Sequence, residues 1–361
     1  MPTSGVSAVV VNVTAIAPTK LTYLTLFPAN GATPATSNLN PAAGQVIANL
    51  VEVAVSSTGQ LDVYNDAGTT NITIDIEGWV STTTSGTAGL YNPTAPTRIC
   101  DTRTGRGIAP NQCDMGGAHP ILAGHPLTFD VHGSGSPVPA TGVSAVVFNL
   151  TAIAPTAPTV LKAYPSNVGT PTASNINLPA GAVVPNRVIV PVPAGCAAPH
   201  CTVTIANSAG SVNVVVDIDG WFTDSTGSQT GALFSGVTPS RLCDTRVGNS
   251  NDPGCSESAI PAGGVLNIQV AGKAGIPSMS SSSPPVALVV NVTAVQATTG
   301  TYVTVYSSDL GTQPEASDLS VSVGQADTNL VLVQVGSDGT INLYNAAGSV
   351  ELVVDVLGYY S

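Results

Sequence analysis

Charge is the scarcest property of this sequence. Only 8% of its 361 residues are Asp, Glu, Lys or Arg, against roughly a quarter in an ordinary soluble domain. Lysine occurs only as Lys20, Lys162 and Lys273, and 9 basic residues face 21 acidic ones for a formal charge of −12. Nucleic acid requires a basic footprint, so that class of partner is excluded. No apolar run reaches the roughly 18 residues of a spanning helix, so no membrane span is expected. Aromatic residues make up 4%, which is thin for a protein that stacks on sugar rings. Helix signals are missing. A basic leader is missing too: Met1-Pro2-Thr3 runs straight into Gly5-Val6-Ser7-Ala8-Val9, which reads as a leader already removed.

What is present is apolar and β-forming. Hydrophobic residues total 43%, enough for a core and too many for a disordered chain. Ser, Thr, Gly, Pro and Val set out short strands joined by tight turns. The strongest signal is repetition. Val11-Asn12-Val13-Thr14-Ala15 returns as Phe148-Asn149-Leu150-Thr151-Ala152 and as Val290-Asn291-Val292-Thr293-Ala294. Ser37-Asn38-Leu39 returns as Ser174-Asn175-Ile176 and Ser317-Asp318-Leu319. Each copy closes alike, at Asp75-Ile76-Glu77-Gly78-Trp79, Asp217-Ile218-Asp219-Gly220-Trp221 and Asp355-Val356-Leu357-Gly358-Tyr359. A second block occurs only twice, as Arg98-Ile99-Cys100-Asp101-Thr102-Arg103 and Arg241-Leu242-Cys243-Asp244-Thr245-Arg246. A period of about 140 residues makes each repeat the size of a domain, unlike a solenoid turn.

Within the copies the apolar period is two. Ile72, Ile74 and Ile76 alternate with Thr73, Asp75 and Glu77, the pattern of a strand with one face in a core. About eight strands per full repeat is a sandwich count. The predicted fold is therefore all-β, a tandem array of three antiparallel β-sandwich modules of jelly-roll or immunoglobulin-like type, the first lacking its N-terminal strands. Three Asn-x-Thr blocks share two Arg blocks. If each Arg block packs with the block that follows it, the modules are 90–224 and 232–361, with 1–82 a partial repeat. In that frame Arg98-Ile99-Cys100 pairs with strands of 142–221, and the mid-repeat start reads as a cut or a missing partner.

The six cysteines fall into local pairs, Cys100 with Cys113, Cys196 with Cys201 and Cys243 with Cys255. Their spacings match no zinc ribbon, and an even set of local pairs favours disulfides and an oxidising compartment. The pair at Cys196 and Cys201 sits where the other copies turn at Thr58-Gly59 and Asp338-Gly339, so it closes a lengthened hairpin tip. The Pro-x-Arg-x-x-Asp-Thr-Arg, Asn-Val-Thr, Ser-Asn-Leu-Asn and Asp-Val-x-Gly-Tyr-Tyr motifs together resemble a family of tandem repeats. Those repeats are found in secreted and cell-surface proteins of high-GC Gram-positive and related bacteria. The resemblance covers nearly the whole chain. It implies repeats that accompany hydrolases or wall-associated domains, and it assigns no catalytic residue. The chain departs from the pattern by starting in mid-repeat and by carrying no second domain type.

No catalytic, cofactor-binding or metal-ligating set is expected, and no cofactor. His119, His125 and His132 lie in one stretch but recur in no other copy, so they are not a repeat-wide metal site. Asp217 and Asp219 share a strand, as do Asp75 and Glu77, yet Leu357 breaks the pair in the third copy and no calcium-type loop surrounds them. The recurrent Asp fits better as the acceptor of a forked Arg contact. The expected structural network is Arg98, Asp101, Arg103 and Asp217 in one copy and Arg241, Asp244, Arg246 and Asp355 in the next. The Asn-x-Thr sites at Asn12, Asn71, Asn149 and Asn291 read as strand chemistry rather than glycan acceptors. The predicted function is a non-enzymatic structural or adhesive repeat protein, extracellular or at the cell surface. It self-associates through strand edges or module ends. The alternative is a carbohydrate- or cell-wall-binding module of a secreted hydrolase, with cell-wall polysaccharide as partner.

Overall fold

The structure is a computed structural model of the 361-residue chain and describes residues 1–82, 87–103, 113, 119–132, 135–197, 201–226, 230–248, 255 and 257–361. All regular structure among these residues is β. The chain divides into two compact units, one made of Ser85–Ala232 and the other of Met1–Thr84 together with Leu233–Ser361. The expected array of three separate modules is thereby corrected: the first and third repeats belong to one unit.

The strands of the Ser85–Ala232 unit follow those of the first repeat, which are β1 (Val6–Ile16), β2 (Leu24–Pro28), β3 (Val46–Ala54), β4 (Leu61–Asn65) and β5 (Asn71–Ser81). The unit then contributes β6 (Tyr91–Asp101), β7 (Ile121–Leu122), β8 (Leu127–Asp130), β9 (Val143–Ile153), β10 (Thr159–Pro165), β11 (Ile176–Leu178), β12 (Val183–Pro191), β13 (Thr202–Asn207) and β14 (Ser211–Thr223). One antiparallel sheet runs β12-β9-β14-β6, with β7 also on β14, and a second runs β11-β10-β13-β8. Their facing side chains share one core: Phe148, Leu150, Val214, Val216 and Ile218 from the first, Leu161, Ile176, Val203, Ile205 and Phe129 from the second. Arg98-Ile99-Cys100 lies on β6, where Arg98 is opposite Asp217 and Cys100 opposite Val216.

The third repeat supplies β15 (Phe234–Asp244), β16 (Val265–Gln269), β17 (Ala287–Val295), β18 (Thr301–Ser307), β19 (Leu319–Val321), β20 (Asp327–Gln334), β21 (Thr340–Asn345) and β22 (Glu351–Tyr360). Its sheets, β15-β22-β17-β20 and β16-β21-β18-β19, repeat the same order, and Val290, Val292, Val354 and Val356 face Val303, Val305, Ile341 and Leu343 across another core.

The first repeat has the same plan with pieces missing. Its sheets are β3-β1-β5 and β2-β4. No strand among the described residues occupies the places that β6 and β8, or β15 and β16, fill in the full repeats. The consequence is visible on β5. Ile72, Ile74 and Ile76, expected in a core, are 38%, 42% and 56% exposed, while their repeat equivalents Val214, Val216 and Ile218 are fully buried. Apolar alternation marks a strand face meant for burial, but burial needs the covering strands.

The first repeat instead buries surface against the third. Asn49 Nδ2 donates to Asn291 Oδ1 at 2.9 Å, Leu330 N donates to Asn49 Oδ1 at 3.0 Å, and Asn40 Nδ2 donates to Thr328 Oγ1 at 2.8 Å. Tyr360 Oη donates to Glu52 Oε1 at 2.8 Å. These buried polar contacts fix one relative arrangement, because each misplaced donor or acceptor costs its full desolvation.

Candidate functional site

The motif residues gather in the Arg/Asp networks, and the sheet register explains why. β14 lies between β9 and β6, so Asp217 faces Asn149 on one side and Arg98 on the other. Arg98 forks onto Asp217, Nε to Oδ1 at 2.8 Å and Nη2 to Oδ2 at 3.1 Å. Asp101 receives Arg103 through Nε at 2.9 Å and Nη2 at 2.6 Å, and through its backbone N at 3.0 Å. The third repeat reproduces this. Arg241 Nε donates to Asp355 Oδ1 at 2.8 Å and Arg241 Nη1 to Asp244 Oδ2 at 3.2 Å. Arg246 forks onto Asp244 at 2.9 and 2.6 Å. Burial pushes the Asp101 and Asp244 carboxyls up, but hydrogen bonds and charge from Arg103 and Arg246 outweigh it and hold both below the ordinary carboxylate range. Each network stitches an Arg-block strand to the closing strand of its sheet.

The other recurring motifs are also consumed in backbone bonds. Asn38, Asn175 and Asp318 accept the backbone N of Leu26, Ala163 and Val305 at 2.6, 2.7 and 2.7 Å. Asn49, Asn186 and Asn329 donate to the carbonyls of those same three residues at 2.7, 2.6 and 2.7 Å. The Asn of each Tyr-Asn or Ala-Asn motif ties a turn: Asn65, Asn207 and Asn345 donate to the carbonyls of Gly68, Gly210 and Gly348 at 3.0, 3.1 and 3.1 Å. Asn12, Asn149 and Asn291 are buried mid-strand, where no glycan has access.

All three cysteine pairs are disulfides, Cys100–Cys113, Cys196–Cys201 and Cys243–Cys255. The second closes the connection between β12 and β13. His132 has a buried side chain 3.6 Å from Asp130, and burial pushes its imidazole below its ordinary value even though Asp130 opposes this. His119 and His125 are exposed, and His200 lies outside the described residues. Among the described residues no three His, Cys, Asp or Glu side chains converge.

Two polar contacts escaped the sequence reading. Arg187 Nη1 donates to Asp219 Oδ2, with both side chains buried. The repeats carry part of a signal for it: the third copy has Leu330 and Leu357 at those two places, whereas the first has Leu50 with Glu77. The second is Glu52 beside Tyr360. Burial pushes the Glu52 carboxyl up to about 7, opposed by the Tyr360 hydrogen bond.

One cavity of about 250 Å³ lies within the unit formed by the first and third repeats. Tyr23, Ser37 and Asn40 line one side, and Arg241, Arg246 and Thr293 the other. Both Arg side chains fork onto Asp244 and Asp355, so the cavity offers the remaining guanidinium N–H groups and hydroxyls without net positive charge. That suits a small neutral polyhydroxy group better than an anion.

No helix among the described residues is long and apolar enough to cross a membrane. No known protein family matches the chain, and no curated protein matches it. Solved structures give faint likenesses. A structure of Sulfolobus Turreted Icosahedral Virus aligns at TM-score 0.18 and 8% identity over 98% of this chain and 80% of that one. A triple jelly roll protein of an archaeal virus aligns at TM-score 0.19 and 9% identity over 99% and 80%. The CBM22-1-CBM22-2 tandem domain from Paenibacillus barcinonensis Xyn10C aligns at TM-score 0.21 and 11% identity over 74% of this chain and 98% of that one. Likenesses this low carry no argument about fold or function.

Proposed function

We propose that the chain is a non-enzymatic, extracellular structural or adhesive repeat protein of the Pro-x-Arg-x-x-Asp-Thr-Arg type, built from β-sandwich modules of jelly-roll or immunoglobulin-like design and self-associating at the cell surface. The observation that carries this is the fate of the recurring residues. The recurring Arg, Asp and Asn side chains of the second and third repeats hold strands and turns together, so what the repeats preserve is a scaffold. Three disulfides support an oxidising location. Strand edges with few lysines support association, because lysine is the usual guard against edge pairing. The outer strand β12 is the edge in question, since β20 is engaged by Asn49 of the first repeat. Multi-angle light scattering and negative-stain microscopy test this: ordered oligomers or filaments are the expected result, and a strict monomer at high concentration refutes the self-association.

The alternative is a carbohydrate- or cell-wall-binding module, and it is favoured by the cavity between Tyr23, Asn40, Arg241 and Arg246. Pull-down on peptidoglycan, chitin and cellulose separates the two readings. Retention on one polymer that Arg246→Ala abolishes selects the binding module; flow-through on all three rejects it.

A further inference from the structure

The cavity between the first and third repeats contains a hydroxyl that the fold does not use. Thr36 lines the cavity and is 4% exposed, and its Oγ1 has no hydrogen-bond partner among the described residues. A buried hydroxyl in that state costs its desolvation and calls for a reason. The other repeats show that the loop needs none there. Thr36 precedes Ser37-Asn38, and the residues before Ser174-Asn175 and Ser317-Asp318 are Ala173 and Ala316. The loop is tied through the backbone at this position: the Thr36 carbonyl accepts the Thr25 hydroxyl, as the Ala316 carbonyl accepts the Thr304 hydroxyl. We propose that the cavity binds one neutral sugar residue, free or at the end of a glycan, and that the Thr36 hydroxyl is one of its hydrogen-bond partners. The inference deepens the binding-module reading above and rests on it.

Size, surface and charge each narrow the class. The volume of about 250 Å³ lies below the range of about 300–1,000 Å³ for drug-sized ligands, so it suits one ring and not the run of a polymer. Tyr23 supplies an aromatic wall, steadied by Tyr64 with ring centroids 5.9 Å apart, and Val295 and Val353 add apolar lining. Such surfaces match the C–H faces of a sugar. Asn40 gives its amide hydrogens to Ser37 and Thr328, which leaves its carbonyl oxygen as an acceptor for a sugar hydroxyl. Arg241 and Arg246 are paired with Asp244 and Asp355, and Glu351 also acts on Arg246. Carboxylates therefore outweigh guanidinium groups around the cavity, and an acidic sugar or a phosphate is disfavoured.

The test is titration calorimetry of the full chain with glucose, galactose, mannose, xylose, arabinose and N-acetylglucosamine, and with glucuronic acid as the anionic counterpart. The expected result is one-to-one binding of at least one neutral sugar and none of glucuronic acid. Thr36→Ala should weaken that binding about fivefold without lowering the melting temperature, because alanine is what the other repeats hold. Thr36→Ser, which keeps the hydroxyl, should stay within about twofold of the parent. Oligosaccharides of the bound sugar separate the two sources: affinity retained per chain points to glycan ends, and affinity lost points to the free sugar. No heat with any of the six neutral sugars, as from a cavity that holds only water, overturns the inference. So do equal binding of glucuronic acid and an affinity that Thr36→Ala leaves unchanged. Retention on peptidoglycan, chitin or cellulose that no monosaccharide displaces also overturns it, while the binding-module reading stands. Flow-through on those polymers with a monosaccharide still bound has the opposite effect, so the two can fail separately.

Discussion

Replacing Glu52 with glutamine should stabilise the unit of the first and third repeats above neutral pH and flatten its pH dependence. Glu52 is fully buried. Its Oε1 accepts the Tyr360 hydroxyl at 2.8 Å, while Oε2 has no hydrogen-bond partner among the described residues. Burial moves the carboxyl from 4.5 to about 7. A raised acid binds its proton in the folded state where the unfolded chain has released it. Its contribution is therefore fully present below 4.5, declines as pH rises and is lost above about 7. At 1.36 kcal/mol per pK unit, a shift of this size corresponds to about 3 kcal/mol. Asp327 is raised in the same direction by burial, to about 7. It is partly exposed and accepts Ser320 N at 3.0 Å, so water and backbone offset its burial and Glu52 carries the larger part of the slope.

Calorimetry at pH 5, 6, 7 and 8 checks this, since two compact units permit two transitions. In the parent chain one transition should fall by about 6–12 °C from pH 5 to pH 8, taking 2–4 °C per kcal/mol for a unit of this size. Glu52→Gln keeps a neutral acceptor for Tyr360, so the fall of that transition should shrink to the smaller part left by Asp327, and the transition should lie above the parent at pH 8. A parent transition that rises with pH, or a Glu52→Gln variant with the parent slope, refutes the assignment.

Two further outcomes are expected. Arg187→Leu or Asp219→Leu alone should cost the Ser85–Ala232 unit about 3–5 kcal/mol, while the double replacement should return to within about 1 kcal/mol of the parent, as a double-mutant cycle by denaturant will read. Serine replacement of Cys100 and Cys113 should cost about 3 kcal/mol against about 2 kcal/mol for Cys196 and Cys201, because the longer loop releases more entropy; equal losses in urea titrations would refute the loop-entropy explanation.

Much of the strand pattern was legible because the chain repeats. Asn149, Asp217 and Arg98 are recognisable as partners only because Asn291, Asp355 and Arg241 recur in the same order within the same motifs, and the register brings both sets together. The disulfides were legible from local pairing. Periodicity misjudged β5, since alternation records which face a strand was built to bury and says nothing of whether the cover is present. Glu52 was illegible for a related reason. It sits on a strand with Val51 and Val53 as neighbours, and its hydrogen-bond partner is Tyr360, a residue of another repeat. Local sequence holds no trace of that contact.

The association of first and third repeats follows from how the first is built. A repeat without its Arg-block strands cannot bury the inner face of β5 or the inner face of β4, where Leu61 and Val63 are half-buried although Val203 and Ile205 in the full repeat are fully buried. Its own core is correspondingly small, and small cores are marginal without outside support. Support comes through β3. Leu50, Val51 and Glu52 are all buried, and Asn49 exchanges hydrogen bonds with β17 and β20. The contact is polar as well as apolar, so it selects a partner: Asn291 and Leu330 must be in place for the Asn49 side chain, and Tyr360 for Oε1 of Glu52. Holding the first repeat by β3 leaves β5 at the opposite edge of the same sheet, because β1 lies between them.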